Sequence, residues 1–342
     1  MWVVEIPWQN SFPSSTTAPS TVRSAQVYFS GRKYCRGIPT QCMPLIHDIE
    51  NLCTDVLALI DYLQDVGIIS TAFMCTDCNI WMTIEVDTTT IDGFVMRCST
   101  CRMKVSIRRG SLLFKSKLSL KQFLYFAYFW ALKMSNIQIQ EMLQLSKCTV
   151  VKYMKFFRFI CMWHLKWSAL AIGGTGQIVQ IDENVIHQAK YHRGHVLYEQ
   201  KKWIFGMYDL TTKTGLIQLV QDRSAASLLP IIKQFILPGT EIHSDKWAAY
   251  WGIVDIPINP PYTHKTVNHK LHFVDPTSGT HTNNVECYWR NIKQKFKLLK
   301  GCTRDTTPSH LDKHMIRERY GKTPGEMFRW ILCTLGEMSH FE

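Results

Sequence analysis

The sequence predicts an α/β protein, with a mixed sheet and helices in its second half and a small metal-binding module and a helical region ahead of them. Three observations predict this order. Two Cys-x-x-Cys pairs lie within residues 71–110, helical periodicity dominates residues 111–168, and strand and helix patterns alternate over residues 171–335. Of the 342 residues, 46% are hydrophobic. That content is enough for a large core and excludes a chain that is disordered throughout.

The charge balance predicts an acidic partner. Lys and Arg number 39 and Asp and Glu 27, so the formal net charge is +12. Nucleic acid is the commonest partner of so basic a protein. No apolar run approaches the roughly 18–20 residues of a membrane span, and the N-terminus lacks the basic segment of a secretory signal. We therefore expect no membrane partner and a reducing compartment, in which closely spaced cysteines favour metal binding.

The first two segments differ sharply in composition. Residues 1–43 are predicted to be a disordered leader, because residues 11–24 are mostly Ser, Thr and Pro. Residues 44–70 are predicted to form an N-terminal helix. Apolar side chains recur at three- and four-residue steps between Pro44 and Val66, and a proline is well suited to a first helical turn.

Four cysteines have the spacing of a zinc ribbon within residues 71–110. Cys75 and Cys78 form one Cys-x-x-Cys pair, and Cys98 and Cys101 form the other. Two such pairs about 15–20 residues apart can hold four thiolates around one zinc ion. Because four cysteine ligands leave no open position, the predicted zinc is structural. Free thiols or a redox pair are the alternatives.

A long basic run overlaps the ribbon and continues into the helical region. No Asp or Glu occurs from Gly93 to Gln140, whereas nine Lys and Arg residues do. A run of one sign is typical of a phosphate-binding surface, and a solvated basic face is the alternative. The candidate DNA contacts in this run are Arg102, Lys104, Arg108 and Arg109.

Residues 111–168 are predicted to be helical and to bind DNA. Leu120–Leu132 is apolar nearly all round and is expected to be buried, and Ser135 and Ser146 can each cap a following short helix. Two short helices joined by a tight turn resemble a helix-turn-helix, although any small helical bundle gives the same pattern. The second helix supplies the candidate DNA contacts Lys147 and Lys152.

Residues 171–335 have the element order of a ribonuclease H-like fold. That order is three strands, a helix, a strand and a helix. The strands are predicted at Ile178–Ile181, Trp203–Asp209, Leu216–Val220 and Glu241–His243, and the first helix begins after Ser224.

Three acids in this region can serve metal-dependent phosphodiester chemistry. Asp182 and Asp245 follow predicted strands, where α/β sheets bind their ligands, and Glu286 opens a helix. In-line displacement at phosphorus needs both the attacking and the leaving oxygen stabilised, which two divalent cations on carboxylates achieve. The predicted cofactor is therefore Mg²⁺ or Mn²⁺. An ordinary helical pair of Glu286 with Arg290 is the alternative. The same helix face supplies the candidate DNA contacts Arg290, Lys293 and Lys297.

Several stretches together resemble the Merlin superfamily of DDE transposases and its bacterial insertion-sequence relatives. These stretches are Ile181–Glu183, Lys190–His195, Trp203–Gly206, Asp222–Ser224, His243–Tyr250, Val267–His269, Phe273–Asp275 and His281–Glu286, with Trp289 and Lys293. The resemblance covers roughly residues 45–320, including the zinc ribbon and the helical region ahead of the catalytic domain. No single stretch is specific, but the combination is.

The resemblance implies a DNA transposase that cuts at terminal inverted repeats and joins the freed 3′ ends to target DNA. By position, Asp182, Asp245 and Glu286 would be its metal-binding catalytic triad. A homo-oligomer would pair the DNA ends. The location would be nuclear in a eukaryote and cytoplasmic otherwise.

The C-terminal block departs from the family pattern. Lys313, His314 and Ile316 stand where the family usually has an acid and aromatic residues. Such departures from the family pattern, together with an intact triad, are expected of a decayed or domesticated copy of a transposase. The alternative function is therefore a transposase-derived DNA-binding protein without catalysis.

Overall fold

The computed structural model describes residues 46–168, 170–185, 203–269, 271, 273–299 and 305–339. The predicted leader at residues 1–43 and the Lys190–His195 stretch lie outside these residues. Within them, no helix combines the length and the apolar character that crossing a membrane requires.

The N-terminal segment forms two helices, α1 (Ile46–Thr54) and α2 (Val56–Asp65), rather than the one predicted. Asp55 separates them. Its backbone is extended, with φ −102° and ψ 114°, and its side chain accepts a hydrogen bond from the Leu57 N–H. Because an N-cap residue satisfies a free backbone N–H at a helix start, Asp55 ends one helix and begins the next.

The cysteine-containing module is a three-stranded antiparallel sheet. Its strands are β1 (Thr83–Val86), β2 (Phe94–Arg97) and β3 (Lys104–Ser106), in that order across the sheet. Arg108, just after β3, donates two hydrogen bonds of 2.5 Å to the Asp92 carboxylate. Asp92 also accepts from the N–H of Leu120, over 2.9 Å. This buried pair joins the module to the helix that follows.

The helical region contains α3 (Leu120–Ala131), α4 (Asn136–Leu143) and α5 (Lys147–Trp167). The last two begin directly after Ser135 and Ser146, whose hydroxyls accept hydrogen bonds from the backbone, as predicted. Gln144 adopts the left-handed conformation, with φ 52°, and ends α4. Two helices joined by a short turn are therefore present.

A five-stranded mixed sheet forms the second half of the chain. Its elements are β4 (Ile178–Val185), β5 (Trp203–Asp209), β6 (Thr214–Val220), α6 (Ala225–Phe235), β7 (Glu241–Asp245), a 3-10 helix (Ala248–Ile253) and β8 (Thr263–Val267). The strand order is β6-β5-β4-β7-β8; β6, β5 and β4 pair antiparallel, whereas β4, β7 and β8 pair parallel. This is the predicted mixed α/β fold, and β8 is a strand that the sequence patterns do not indicate.

Three helices complete the described chain: α7 (Asn283–Leu298), α8 (Thr307–Tyr320) and α9 (Pro324–Ser339). Helix α7 packs on β4 and β5. Helix α9 packs instead in the hydrophobic core of the helical half, where Phe328 and Leu335 are buried. Residues 171–335 therefore do not share one core. Helix α8 bridges the two cores, with Met315 in the core of the sheet and Ile316 in that of the helical half.

The close packing of α7 on the sheet predicts a strong effect of a small substitution in β5. Gly206 lies opposite Asp182, and a Cβ added to it would overlap the buried Trp289 ring. We expect Gly206→Ala to lower the free energy of unfolding by about 1–3 kcal/mol, the usual cost of overpacking. Urea unfolding measures the loss.

Gly252→Ala is the matched control, because a Cβ there meets only the end of the flexible Leu229 side chain, at 2.9 Å. Its effect should be clearly smaller. Equal stability of Gly206→Ala and the parent protein would contradict the packing described here.

Candidate active site

The buried side chain of Gln180, on β4, anchors the N-terminus of α7. Its Oε1 accepts hydrogen bonds from the N–H of Asn284, over 3.0 Å, and of Val285, over 3.1 Å. Its Nε2 donates to the carbonyl oxygen of His281, over 2.8 Å. Thr282, at the N-cap position, makes no side-chain cap of its own. A residue of the sheet therefore satisfies the free N–H groups that a helix start leaves.

Asp182 lies two residues further along β4. Alternation along a strand puts it on the same face of the sheet as Gln180. Its Oδ2 accepts a hydrogen bond from the indole N–H of the buried Trp289 of α7, over 3.0 Å. Helix α7 is thus fixed to β4 at two points, and Glu286 lies between them in sequence. A cleft of about 270 Å³ is lined by Asp182, Asn184, Glu286, Trp289, Arg290 and Lys293.

Asp245 is the last residue of β7, the parallel neighbour of β4. The last paired residues of the two strands are Gln180 and His243. Asp182 and Asp245 each lie two residues beyond that pair, so the register brings them to the same place. The prediction that β4 ends at Asp182 is wrong, since β4 continues to Val185 in its pairing with β5. The parallel pairing of β4 with β7 does end before Asp182, so these two strands are not paired where both acids lie.

Burial and neighbouring carboxylates raise the pKa of Asp182 and of Glu183. Burial, together with the neighbouring Glu183 and Asp245 carboxylates, raises the pKa of Asp182 to about 7. Burial also raises the pKa of Glu183, against the hydrogen bond that it accepts from the hydroxyl of Tyr250. Buried carboxylates that repel one another favour a bound cation, and carboxylate oxygens are the ligands that Mg²⁺ and Mn²⁺ prefer. The chemistry of these donors therefore suits a hard divalent metal, but among the described residues only the four cysteines bring three or more ligand atoms within 4.8 Å of one another.

Glu286, in the first turn of α7, is half-exposed. Its Oε1 accepts a hydrogen bond from the Thr282 hydroxyl, over 3.1 Å, and lies 3.5 Å from the His269 Nε2. Among the described residues, no ion pair joins Glu286 to Arg290, so the structure does not contain the helical pair that the sequence leaves open.

The predicted DNA contacts fall into two groups in space. Arg290, Lys293 and Lys297 are exposed along α7, and the first two border the cleft. Arg109, Lys147 and Lys152 are exposed in the helical half. These six side chains are open to an anionic partner.

Three predicted contacts are instead engaged with acids of the preceding strand pair. Arg102 pairs with Glu85, and Lys104 pairs with Asp87 over 2.7 Å, although each retains an exposed side chain. Arg108 is only 3% exposed and is bound to Asp92. The prediction that Arg108 contacts DNA is wrong, because a buried, fully paired guanidinium cannot reach a phosphate. Residues 93–140 contain no acid of their own, but in the structure acids that precede this run partly neutralise its positive charge.

The four predicted cysteine ligands meet at one point. The sulfur atoms of Cys75, Cys78, Cys98 and Cys101 all lie within 4.8 Å of one another. Each Cys-x-x-Cys pair is followed directly by a residue with positive φ, which turns the chain back toward the cluster. Backbone N–H groups, that of Cys101 foremost, lower the pKa of Cys98 to about 6, whereas hydrogen bonding with Cys101 and burial raise the pKa of Cys78 to about 12. The metal-binding thiolate is therefore favoured at Cys98. The cluster is compatible with a structural zinc ion.

Sequence reasoning does not find Gln180 or Glu183. The available signal for Gln180 is a polar residue inside the apolar run Ile178–Ile181, since a buried amide requires partners. No local signal distinguishes Glu183 from an exposed strand residue.

The sheet region is similar to known transposase sequences. Residues 172–316, which include all three acids, match the family model of the ISXO2-like transposase domain. An uncharacterized transposase-like protein of Haemophilus influenzae is 23% identical over 87 residues, which are 25% of this chain and 66% of that protein, just under two thirds of its length. These similarities support a transposase family.

Solved structures of two retroviral integrases are also similar. The catalytic core domain of BIV integrase is 16% identical, with a TM-score of 0.29, over 41% of this chain and 81% of that one. The catalytic core domain of HTLV-2 integrase, in complex with magnesium, is 11% identical, with a TM-score of 0.26, over 42% of this chain and 84% of that one.

The capping role of Gln180 predicts that its amide stabilises the fold. Gln180→Leu leaves two N–H groups at the start of α7 without their acceptor, and unpaired buried groups cost about 1–3 kcal/mol each. We expect the free energy of unfolding to fall by at least about 2 kcal/mol. Gln218→Leu, the same change at a half-buried position of the edge strand β6, should cost far less. Equal losses in the two variants would refute the capping role.

The cysteine cluster predicts a bound metal. Elemental analysis of the purified protein should find about one zinc ion per chain. Cys98→Ser should lower that content sharply, whereas Cys148→Ser, at an exposed cysteine outside the cluster, should not. Chelation should unfold the module, because such folds depend on the metal. Parent protein without zinc, or an unchanged circular-dichroism spectrum after chelation, would argue against a zinc ribbon.

Proposed function

We propose that this protein is a DNA transposase that cuts at terminal inverted repeats and joins the freed 3′ ends to target DNA. The observation that supports it most is the arrangement of Asp182 and Asp245 beside a cleft that Glu286 lines. This arrangement lies within the region that matches a transposase domain. A carboxylate cluster beside exposed cations suits phosphodiester chemistry, because it can bind divalent metal and a phosphate backbone together.

In this proposal Asp182, Asp245 and Glu286 hold Mg²⁺ or Mn²⁺. When bound, the metal supplies a nucleophile at neutral pH and stabilises the leaving oxygen of the phosphodiester. Trp289 orients the Asp182 carboxylate through its indole N–H. The Thr282 hydroxyl and His269 orient the Glu286 carboxylate.

The cations of α7 bind the DNA backbone in this proposal. Arg290, Lys293 and Lys297 succeed one another along one exposed face that begins at Glu286. Phosphate contacts from such a row position a duplex without reading its sequence. They would hold the DNA strand beside the three acids.

The N-terminal half recognises the transposon ends in this proposal. The α4 and α5 pair acts as a helix-turn-helix, with Lys147 and Lys152 on its second helix. Arg109, just after β3, adds a cation from the cysteine-containing module. A structural zinc ion holds the ribbon. Arg102 and Lys104 have side chains that are 60% and 52% exposed, so each can exchange its acid partner for a phosphate.

We further propose that the protein belongs to the Merlin superfamily and pairs two DNA ends as a homo-oligomer. The family assignment and the homo-oligomer both rest on the residue pattern of the sequence. In a eukaryote the protein would act in the nucleus, and otherwise in the cytoplasm.

The proposal predicts metal-dependent DNA breaks. The purified chain, with Mg²⁺ or Mn²⁺ and the DNA that flanks its own gene, should nick at inverted repeats, mapped at nucleotide resolution. Asp245→Asn should reduce the breaks below detection, because it removes a charged metal ligand. Asp255→Asn, at an exposed position after the 3-10 helix, is the matched control and should cut like the parent.

Binding without cleavage by the parent protein would overturn the catalytic proposal. It would favour the alternative, a transposase-derived DNA-binding protein. Breaks that persist in Asp245→Asn would refute the assignment of the acids.

A further inference from the structure

A stack of three side chains lies next to Asp245. The Arg223 guanidinium contacts two indole rings, 4.2 Å from the centre of the Trp203 ring and 4.3 Å from that of Trp247. The Trp247 indole N–H also donates to the carbonyl oxygen of Arg223, over 2.9 Å. Two independent contacts thus fix the orientation of the Trp247 ring.

Part of Trp247 remains open to solvent. The residue is 38% exposed although the Arg223 guanidinium lies over its ring. This exposed surface is open to a further stacking partner. The adjacent Lys246 is exposed, and Trp251, four residues on, is 62% exposed. An oriented aromatic face next to a cation is the chemistry with which proteins hold unpaired bases.

The backbone of Trp247 is also bound to the candidate active site. The backbone N–H of Trp247 donates to the Asp245 Oδ1, over 2.9 Å. A group stacked on Trp247 would therefore lie close to a phosphodiester held at Asp245.

We propose that the exposed face of Trp247 binds an unpaired nucleobase of the DNA, beside the phosphodiester at the acids; this rests on the proposed function. Inside a duplex both faces of a base are covered by its neighbours, so only an unpaired or extruded base can stack on the ring. Because every base has a π face, the site selects for unpairing and not for sequence.

Equilibrium binding of the full chain to two DNA probes tests this proposal without catalysis. The probes are a short duplex and the same duplex with a few mismatched central pairs, one of which contains a fluorescent adenine analogue. The parent should bind the mismatched probe more tightly, by roughly tenfold, and quench the analogue by stacking. Trp247→Ala should lose both the preference and the quenching. Trp167→Ala, at an exposed tryptophan of α5, should keep both.

Trp247→Phe separates stacking from a structural role. Phenylalanine retains an aromatic face but cannot donate to the Arg223 carbonyl oxygen, so the preference and most of the quenching should persist. Loss of both in Trp247→Phe would overturn the proposal, because it would show that the indole N–H holds the loop in place. Equal binding of both probes by the parent would overturn it too.

Failure of the proposed function has a different signature. A parent protein that prefers the mismatched probe through Trp247 but makes no metal-dependent breaks would support the base site and refute catalysis.

Discussion

The arrangement of the candidate site depends on the buried amide of Gln180. A helix start leaves several N–H groups without partners, and α7 begins against a sheet where water cannot supply them. Gln180 accepts from two of these groups and donates to the carbonyl oxygen of His281. A buried amide that lacked one of these partners would cost free energy, so the hydrogen bonds fix the position of α7 along β4. Glu286, in the first turn of that helix, is therefore positioned by a residue two places from Asp182.

The same geometry concentrates negative charge beyond the last paired residues of the neighbouring strands β4 and β7. Asp182 and Asp245 extend from parallel neighbours beyond their last paired residues, and Glu183 adds a third carboxylate. Burial raises the pKa of Asp182 and of Glu183, so the cluster favours a cation. Positive charge lies alongside on α7, where Arg290 and Lys293 border the cleft. A divalent metal and a polyanion can thus be bound together without competing for the same side chains.

Local patterns predict the elements, whereas the contacts that fix the site come from residues distant in sequence. Asp182 and Asp245 can be found because each comes directly after a short strand pattern in the sequence, and Glu286 because a helical stripe begins beside it. The capping role of Gln180 cannot be found in this way, since its partner Asn284 lies 104 residues later. The burial of Arg108 depends on Asp92, across the strand pair, and the helix break at Asp55 on a single cap. The packing of α9 in the first core likewise follows from tertiary contacts that periodicity does not encode.

Anomalous scattering from crystals of the full chain grown with Mn²⁺ tests the central claim most directly. The claim is that Gln180 and Trp289 hold α7 so that Glu286 shares a metal site with Asp182 and Asp245. We expect a manganese peak in contact with carboxylate oxygens of all three residues, and no such peak in Asp182→Asn. A peak that lacks Glu286 among its ligands, or no peak beside Asp182 and Asp245, would contradict this arrangement of the site.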